Sequence, residues 1–246
     1  MRCLIAVMLL AACGHPSTFP VQPLPELVST VVAATPLAVS ALALEPGESL
    51  IWDVHWNGVT IGRAELAVSE QAAHSRFSTE GIARAMASVE YELETVLDRA
   101  AARPTSASER LRLGGETRQV AETFDGASYA IDGQFAAVPG GNPGQTLHSA
   151  LGAIRAWAAP DARPGYLFVV HAGQLIRVDV ARPIPEELQG TPALRVECRV
   201  RLADDQPATI SITAWLTRDQ KRTPVRIEIR RGNEQITAEL IDADAA

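Results

Sequence analysis

The sequence is short of cysteine, of aromatic residues and, almost completely, of lysine. It has three cysteines among 246 residues, Cys3, Cys13 and Cys198, and their spacing excludes a disulfide framework or a zinc ribbon. Lys221 is the one lysine among 22 basic residues, which 29 acidic residues outnumber to give a net charge of −7. This balance excludes an electrostatic nucleic-acid binder. The hydrophobic fraction of 47% excludes a disordered acidic chain.

The sequence also lacks a catalytic or metal-binding pattern. No two of the histidines have metal-ligand spacing with an acidic partner; they are His15, His55, His74, His148 and His171. There is no nucleophile elbow, no Walker A loop and no dinucleotide fingerprint. The adjacent carboxylates, Glu186-Glu187 and Asp204-Asp205, are typical of solvated turns. We therefore expect no enzyme activity, no metal and no cofactor.

The first residues have the pattern of an export signal. Arg2 precedes the apolar run Leu4 to Leu10, which is shorter than the roughly 20 residues that span a bilayer. Leu10-Ala11-Ala12-Cys13 resembles the lipobox of bacterial lipoproteins. That resemblance implies cleavage of residues 1–12 and lipidation of Cys13, and Gly14 after it implies the outer membrane. We expect the domain to face the periplasm, with the exterior as the alternative. The alternative is an ordinary secretory signal that contains a cysteine.

Residues 13–46 are predicted to form the lipidated cysteine and a proline-rich tether. Proline is frequent here and prevents regular helix or central strand. Two stretches, 28–34 and 37–44, are more apolar than a typical linker. The alternative that part of this segment packs on the domain or lies on lipid therefore stays open. Residues 47–246 are predicted to form one domain.

The periodicity of this domain is mostly two, which is typical of β-strands. Trp52, Val54 and Trp56 alternate with polar residues, and Asn57-Gly58 follows as a hairpin signal. Many such runs predict a mostly β fold, an antiparallel β-barrel or half-barrel of about ten or more strands. Cys198 alternates with apolar residues on one of these strands, so we expect it in the core.

One segment departs from this rhythm and predicts a single amphipathic helix. Asn142-Pro143 is a candidate N-terminus and Pro160 a stop signal. The apolar residues between them recur at helical spacing; they are Leu147, Ala150, Leu151, Ile154 and Ala158. We expect this helix to pack across or into the concave face of the sheet.

Three stretches together resemble the bacterial domain of unknown function family 3108. They are the opening hairpin from Gly47-Glu48 through Trp52 and Trp56 to Ala64, the helix Leu147-His148-Ser149-Ala150-Leu151 with Arg155, and Ala214-Trp215-Leu216-Thr217 with Asp219, Arg222 and Pro224-Val225. The resemblance implies an envelope-associated β-barrel or half-barrel with no settled activity. The family's acidic residue before the helix is absent here, where Gln145 and Thr146 stand.

Large apolar side chains suggest what the barrel binds. Trp52, Trp56, Leu151, Trp157 and Trp215 would line a cavity for an acyl chain if the barrel is wide, and would form solid core if it is narrow. We expect a lipid-anchored, non-catalytic envelope protein that binds an apolar or lipidated ligand in this cavity.

The alternative function is a scaffolding module that binds a protein partner through its surface. Arg222, Arg226 and Arg230 lie in a basic window that suits lipid headgroups or an acidic partner. The same residues also suit an exposed strand face of mixed charge.

Overall fold

The computed structural model describes residues 35–202 and 210–244. The predicted signal peptide, Cys13 and the tether up to residue 34 lie outside this part of the chain.

Seventeen strands form one sheet. They are β1 Thr35–Pro36, β2 Ser49–Trp56, β3 Val59–Val68, β4 Ala72–Thr79, β5 Val89–Asp98, β6 Arg103–Leu113, β7 Glu116–Asp125, β8 Ser128–Ile131, β9 Gln134–Ala137, β10 Gly144–Gln145, β11 Gly165–His171, β12 Gln174–Val180, β13 Ile184–Leu188, β14 Thr191–Leu202, β15 Ile210–Thr217, β16 Pro224–Arg231 and β17 Glu234–Asp244. Two α-helices, α1 Gly81–Met86 and α2 Leu147–Trp157, and a 3-10 helix Pro139–Gly141 interrupt them.

The sheet is antiparallel except where β1 and β10 run parallel to β11. Strands β2 to β9 follow in order on one side, β10 to β17 on the other, and β17 pairs with β2. The two ends of the sheet overlap rather than pair, because Tyr129 on β8 packs against Phe168 and Val170 on β11. This open, curved sheet confirms the prediction of a mostly β half-barrel with one substantial helix.

Alternation decides which face each strand buries. Asn57 and Gly58 have φ of 48° and 83° and form the tight turn between β2 and β3, a conformation that asparagine and glycine favour. On β14, Leu194, Val196 and Cys198 share the buried inner face. The core position of Cys198 is therefore confirmed, and burial raises the pKa of its thiol to about 12.

Helix α2 lies inside the concave face, as predicted, but it begins later than Asn142. Thr146 is the N-cap. Its hydroxyl accepts a hydrogen bond from the N–H of Ser149, and the hydroxyl of Ser149 accepts one from the N–H of Thr146. This capping box fixes the start of the helix. Ala150 and Ala153 pack against the strands from β11 to β15.

Residues 37–44 also pack inside the domain. Leu44 is 1% exposed and packs with Leu50 and Trp52, and Arg99 donates to its carbonyl at 2.6 Å. A Cβ at Gly152 of α2 would lie 2.9 Å from Leu44 Cγ, so the close approach requires glycine. The described part of the predicted tether, residues 35–46, therefore packs on the domain, which is the alternative that its apolar residues left open.

The half-barrel has two different ends. At the helix end, α2 finishes beside the turn at 218–223, where Arg155 donates to the Lys221 carbonyl and Arg222 to the Ala158 carbonyl, and β1 pairs with the start of β11. At the hairpin end lie the turns at 57–58, 114–115 and 232–233 and the connection that contains α1. We use these two names below.

Candidate functional site

A continuous row of apolar side chains crosses the inner face at the hairpin end. Ile212, Ile229, Ile236 and Trp56 are directly paired neighbours on β15, β16, β17 and β2. We call these four residues the open row. Each is half-buried, whereas Leu194 and Val196 on the same face of the sheet are fully buried. Adjacent strands lie about 4.8 Å apart, so the row is about 14 Å wide.

Small residues lie next to the open row on the side of α2. Ala214 and Ala238 flank Ile227 in the neighbouring row of paired residues. Because alanine fills little volume, we infer a recess in the inner face here. The row beyond contains Trp52, which is 6% exposed and donates its indole N–H to the Pro224 carbonyl at 2.9 Å. Trp52 therefore separates the recess from the packed core.

The structure divides the five residues predicted to line a cavity. Trp56 lies in the open row, and Trp52 lies at its inner boundary. Leu151 and Trp157 lie on α2 and pack against the two core clusters that the helix contacts. Trp215 is on the outer face instead: it donates to Glu186 Oε1 at 3.1 Å and lies under the Arg226 guanidinium. Its predicted role in the interior is corrected, since alternation along β15 points it outward.

The three arginines predicted as a surface patch all have partners within the protein. Arg222 donates to the carbonyl of Ala158 just after α2, at 2.9 Å. Arg226 pairs with Glu228 and Glu239 at 3.5 and 3.3 Å, and Arg230 pairs with Glu228 at 2.5 Å. This outer face thus has mixed, internally compensated charge.

A buried polar cluster lies on the inner face of β5, β6 and β7, where the β11–β12 turn meets it. Glu109 is 4% exposed and accepts from the Tyr91 hydroxyl, the Ala172 N–H and His171 Nδ1 at 3.0 to 3.1 Å. Glu122 is 1% exposed and accepts from the Gly173 N–H at 3.4 Å. These bonds attach the turn to the opposite end of the sheet.

The two carboxyls of this polar cluster have opposite pKa shifts. Burial, followed by the charge of Glu109, raises the pKa of Glu122 to about 8. Burial opposes ionisation of Glu109 too, but the hydrogen bond and charge of His171, with the Ala172 N–H and Tyr91, hold its pKa below the ordinary value. At neutral pH, Glu109 is ionised and Glu122 holds a proton.

A second buried polar group lies at the start of α2. Thr95 on β5 contacts Thr146 Oγ1 and His148 Nδ1 at 3.1 and 3.0 Å. Burial lowers the pKa of His148 to about 4, so its ring is neutral. Three buried atoms in this region have no protein partner: Glu122 Oε2, Gln145 Oε1 and His148 Nε2. No group of three or more side chains placed to hold a metal occurs within 35–202 and 210–244.

The buried ionisable residues were not predicted from the sequence. Alternation would have placed Glu109 and Glu122 on inner faces, because each lies two residues from a buried apolar position on its strand. Arg155 is buried as well and forms a bidentate pair with Glu48 at 2.6 and 2.9 Å. The helical spacing of Arg155 relative to Leu151 was the signal for that position.

No known protein-family model matches the chain, and no curated protein matches it. The structure is similar to a β-barrel-like protein of domain of unknown function DUF1849 from Brucella abortus, with a TM-score of 0.60 and 11% identity over 84% of this chain and 100% of that chain. A DUF1089 family protein from Pseudomonas aeruginosa aligns with a TM-score of 0.43 and 13% identity over 68% of this chain and 88% of that chain. At this identity the first likeness shows the barrel-like fold alone.

The likeness to the Brucella abortus protein shows the barrel-like fold that the sequence predicts. No family model supports the resemblance to family 3108. No helix in the part of the chain that the structure describes is long and apolar enough to cross a bilayer.

Proposed function

We propose that this protein is a lipid-anchored, non-catalytic envelope protein that binds an apolar or lipidated ligand in the hairpin-end half of its half-barrel. The observation that carries the proposal is the open row, because four neighbouring apolar side chains on an inner face stay half-buried. Exposed apolar surface of this kind marks a binding site more often than a defect. A relationship to family 3108 is part of this proposal and rests on the sequence motifs.

Binding would proceed by burial of an acyl chain against the open row and the recess beside it. Each methylene removed from water contributes roughly 0.8 kcal/mol. The recess ends at Trp52 and at α2, so the helix sets how deep a chain enters. Ala214 and Ala238 leave the volume that the chain would fill.

The anchor would be the acylated Cys13. A single acyl chain binds a membrane weakly and two or more bind stably, which is what the lipobox resemblance implies. Cys13→Ser should prevent acylation, so the protein should lose radiolabelled palmitate and leave the membrane fraction. Incorporation of label into the variant would refute the lipobox interpretation. The outer membrane, with the domain facing the periplasm, is the proposed location.

Ligand binding is tested with the full chain carrying Cys13→Ser, so that the protein has no lipid of its own. Native mass spectrometry should show uptake of added palmitate. Ala238→Trp fills the recess and should reduce uptake at least tenfold while preserving the melting temperature. Ile236→Glu puts a charge in the open row and should have the same effect.

Gln235→Glu is the matched control for Ile236→Glu, because it adds the same group one residue away on the outer face. Uptake by this control should equal that of the parent. A parent that takes up no palmitate, or an Ala238→Trp variant that takes it up normally, would overturn the proposal.

A scaffolding role is a second candidate, which the free edge of the sheet favours. Strand β9 ends the sheet, all four of its residues are exposed, and Phe135 is 81% exposed. An exposed edge can pair with a strand of another protein. Crosslinking in cells should then capture a partner that Phe135→Glu removes, with palmitate uptake unchanged.

A further inference from the structure

We propose that the hairpin end of the half-barrel docks on a lipid bilayer through Val59, Ile82 and Met86, which we call the apolar rim. Their exposed fractions are 65%, 81% and 61%. Among the described residues, they are three of the four most exposed large hydrophobic side chains. The inference rests on the proposed function for its biological purpose, but its physical basis is this separate surface.

The apolar rim is held in place although its side chains are exposed. Helix α1 contacts β3 but buries none of its own residues. Its start is fixed by the N–H of Glu80, which donates to the Ile61 carbonyl at 2.9 Å. Its end is fixed by Thr79, whose hydroxyl donates to the Ala87 carbonyl at 3.0 Å and accepts from the Val89 N–H at 3.0 Å. Ile82 and Met86, four residues apart, therefore project from a fixed turn on one side.

The size of the apolar rim favours a lipid surface over a protein. A stable protein interface buries about 800 Å² on each partner, far more than three side chains supply. Insertion into a bilayer needs no such area, because each apolar side chain is buried among the acyl chains on its own. Arg84 is exposed on the same helix, where its guanidinium can reach lipid phosphates while its stem lies along the apolar boundary.

The segment between Cys13 and Thr35 is long enough for the apolar rim to reach the membrane. Residues 14–34 separate Cys13 from Thr35, and Thr35 lies at the helix end. These residues span at most about 70 Å when extended, while a ten-residue strand such as β5 spans about 33 Å. The hairpin end can therefore reach the membrane that would hold Cys13. A weak contact of the rim would then act as a second attachment beside the lipid.

The open row and the apolar rim lie at the same end of the sheet, since Trp56 ends β2 and Val59 begins β3. An acyl chain that leaves the bilayer at the apolar rim would enter the recess without crossing water. Docking would thus couple membrane contact to ligand exchange.

The test measures binding of the Cys13→Ser full chain to vesicles of phosphatidylethanolamine and phosphatidylglycerol by co-sedimentation. We expect binding by the parent and an at least tenfold lower partition coefficient for Ile82→Glu/Met86→Glu. Ile241→Glu is the matched control, because Ile241 is 50% exposed at the helix end, and it should bind like the parent.

A parent that does not bind vesicles, or a double variant that binds as well as Ile241→Glu, would overturn the inference. Palmitate uptake from solution separates this result from the proposed function. The double variant should retain uptake, since the open row is unchanged. Loss of vesicle binding with uptake intact supports the inference; vesicle binding intact with uptake absent in the parent overturns only the proposed function.

Discussion

The two halves of the inner face differ in what covers them. At the helix end, α2 and residues 37–44 fill the concavity, and Leu44, Leu50 and Leu194 are at most 1% exposed. At the hairpin end, equally apolar residues of the open row stay half-buried. The difference shows that the strands of this wide sheet cannot bury their own inner face. An inserted element is required, and where none is inserted an accessible apolar surface remains.

The largest effect should come from breaking the buried ion pair that fastens α2. Arg155 is 1% exposed and bonds Glu48 and the Lys221 carbonyl. Arg155→Met leaves Glu48 as an unpaired buried charge, so urea unfolding should show a loss of about 3–5 kcal/mol. Arg112→Met removes the exposed pair with Glu90 at 3.1 Å and should cost less than about 1 kcal/mol. Equal losses of unfolding free energy in Arg155→Met and Arg112→Met would mean that the buried ion pair stabilises the protein no more than an exposed one.

A smaller effect should separate the two halves directly. Leu44→Ala leaves a cavity in the helix-end core and should cost about 2–5 kcal/mol. Ile229→Ala in the open row should cost about 1 kcal/mol, because part of the Ile229 side chain is already in water. Both values come from urea unfolding at one pH. A cost at Ile229 as large as that at Leu44 would mean that the hairpin end is packed, which would also remove the basis for ligand binding.

The last effect is absent at acidic pH, develops only as the pH rises, and concerns the polar cluster. The folded-state pKa of Glu122 is about 8 against an ordinary value near 4.5. The folded protein therefore binds the proton more tightly, and this stabilisation is complete below pH 4.5 and lost as the pH rises through 8. Glu122→Gln keeps the neutral form at all pH values.

The melting temperature of Glu122→Gln should thus equal that of the parent at pH 5 and exceed it at pH 9. Glu234→Gln, at the start of β17 and away from the polar cluster, is a control that should show no such divergence. Curves that stay parallel between pH 5 and 9 would contradict a protonated Glu122.

Period-two alternation was enough to predict the fold class and several positions. It placed Cys198 in the core and the β2–β3 hairpin at Asn57-Gly58, because both depend on local pattern and on the steric needs of one turn. Helical spacing of apolar residues predicted the helix, but the N-cap was assigned to Asn142 rather than Thr146. Thr146 and Ser149 cap each other, and such reciprocal bonding is visible in sequence only as a weak Thr-x-x-Ser spacing.

The candidate site depends on pairings that lie far apart in the sequence. The open row joins Trp56 to Ile236 across 180 positions, so no local window shows that the two are neighbours. Trp215 was grouped with the large apolar side chains expected in the interior, but its place in the alternation of β15 decides otherwise. Glu109 and Glu122 were passed over because ionisable residues on strands usually face water. Their burial follows from the overlap of the two sheet ends.

The pairing of β17 with β2 has a consequence for how the protein is made. Strand β2 begins at Ser49 and its partner ends at Asp244, so β17 leaves the ribosome after all the other described strands. Until β17 is made, strands β2 to β9 cannot join strands β10 to β16 in one curved sheet. Contacts this distant in sequence slow folding. The curved sheet therefore stays incomplete until the last of the described strands has been synthesised.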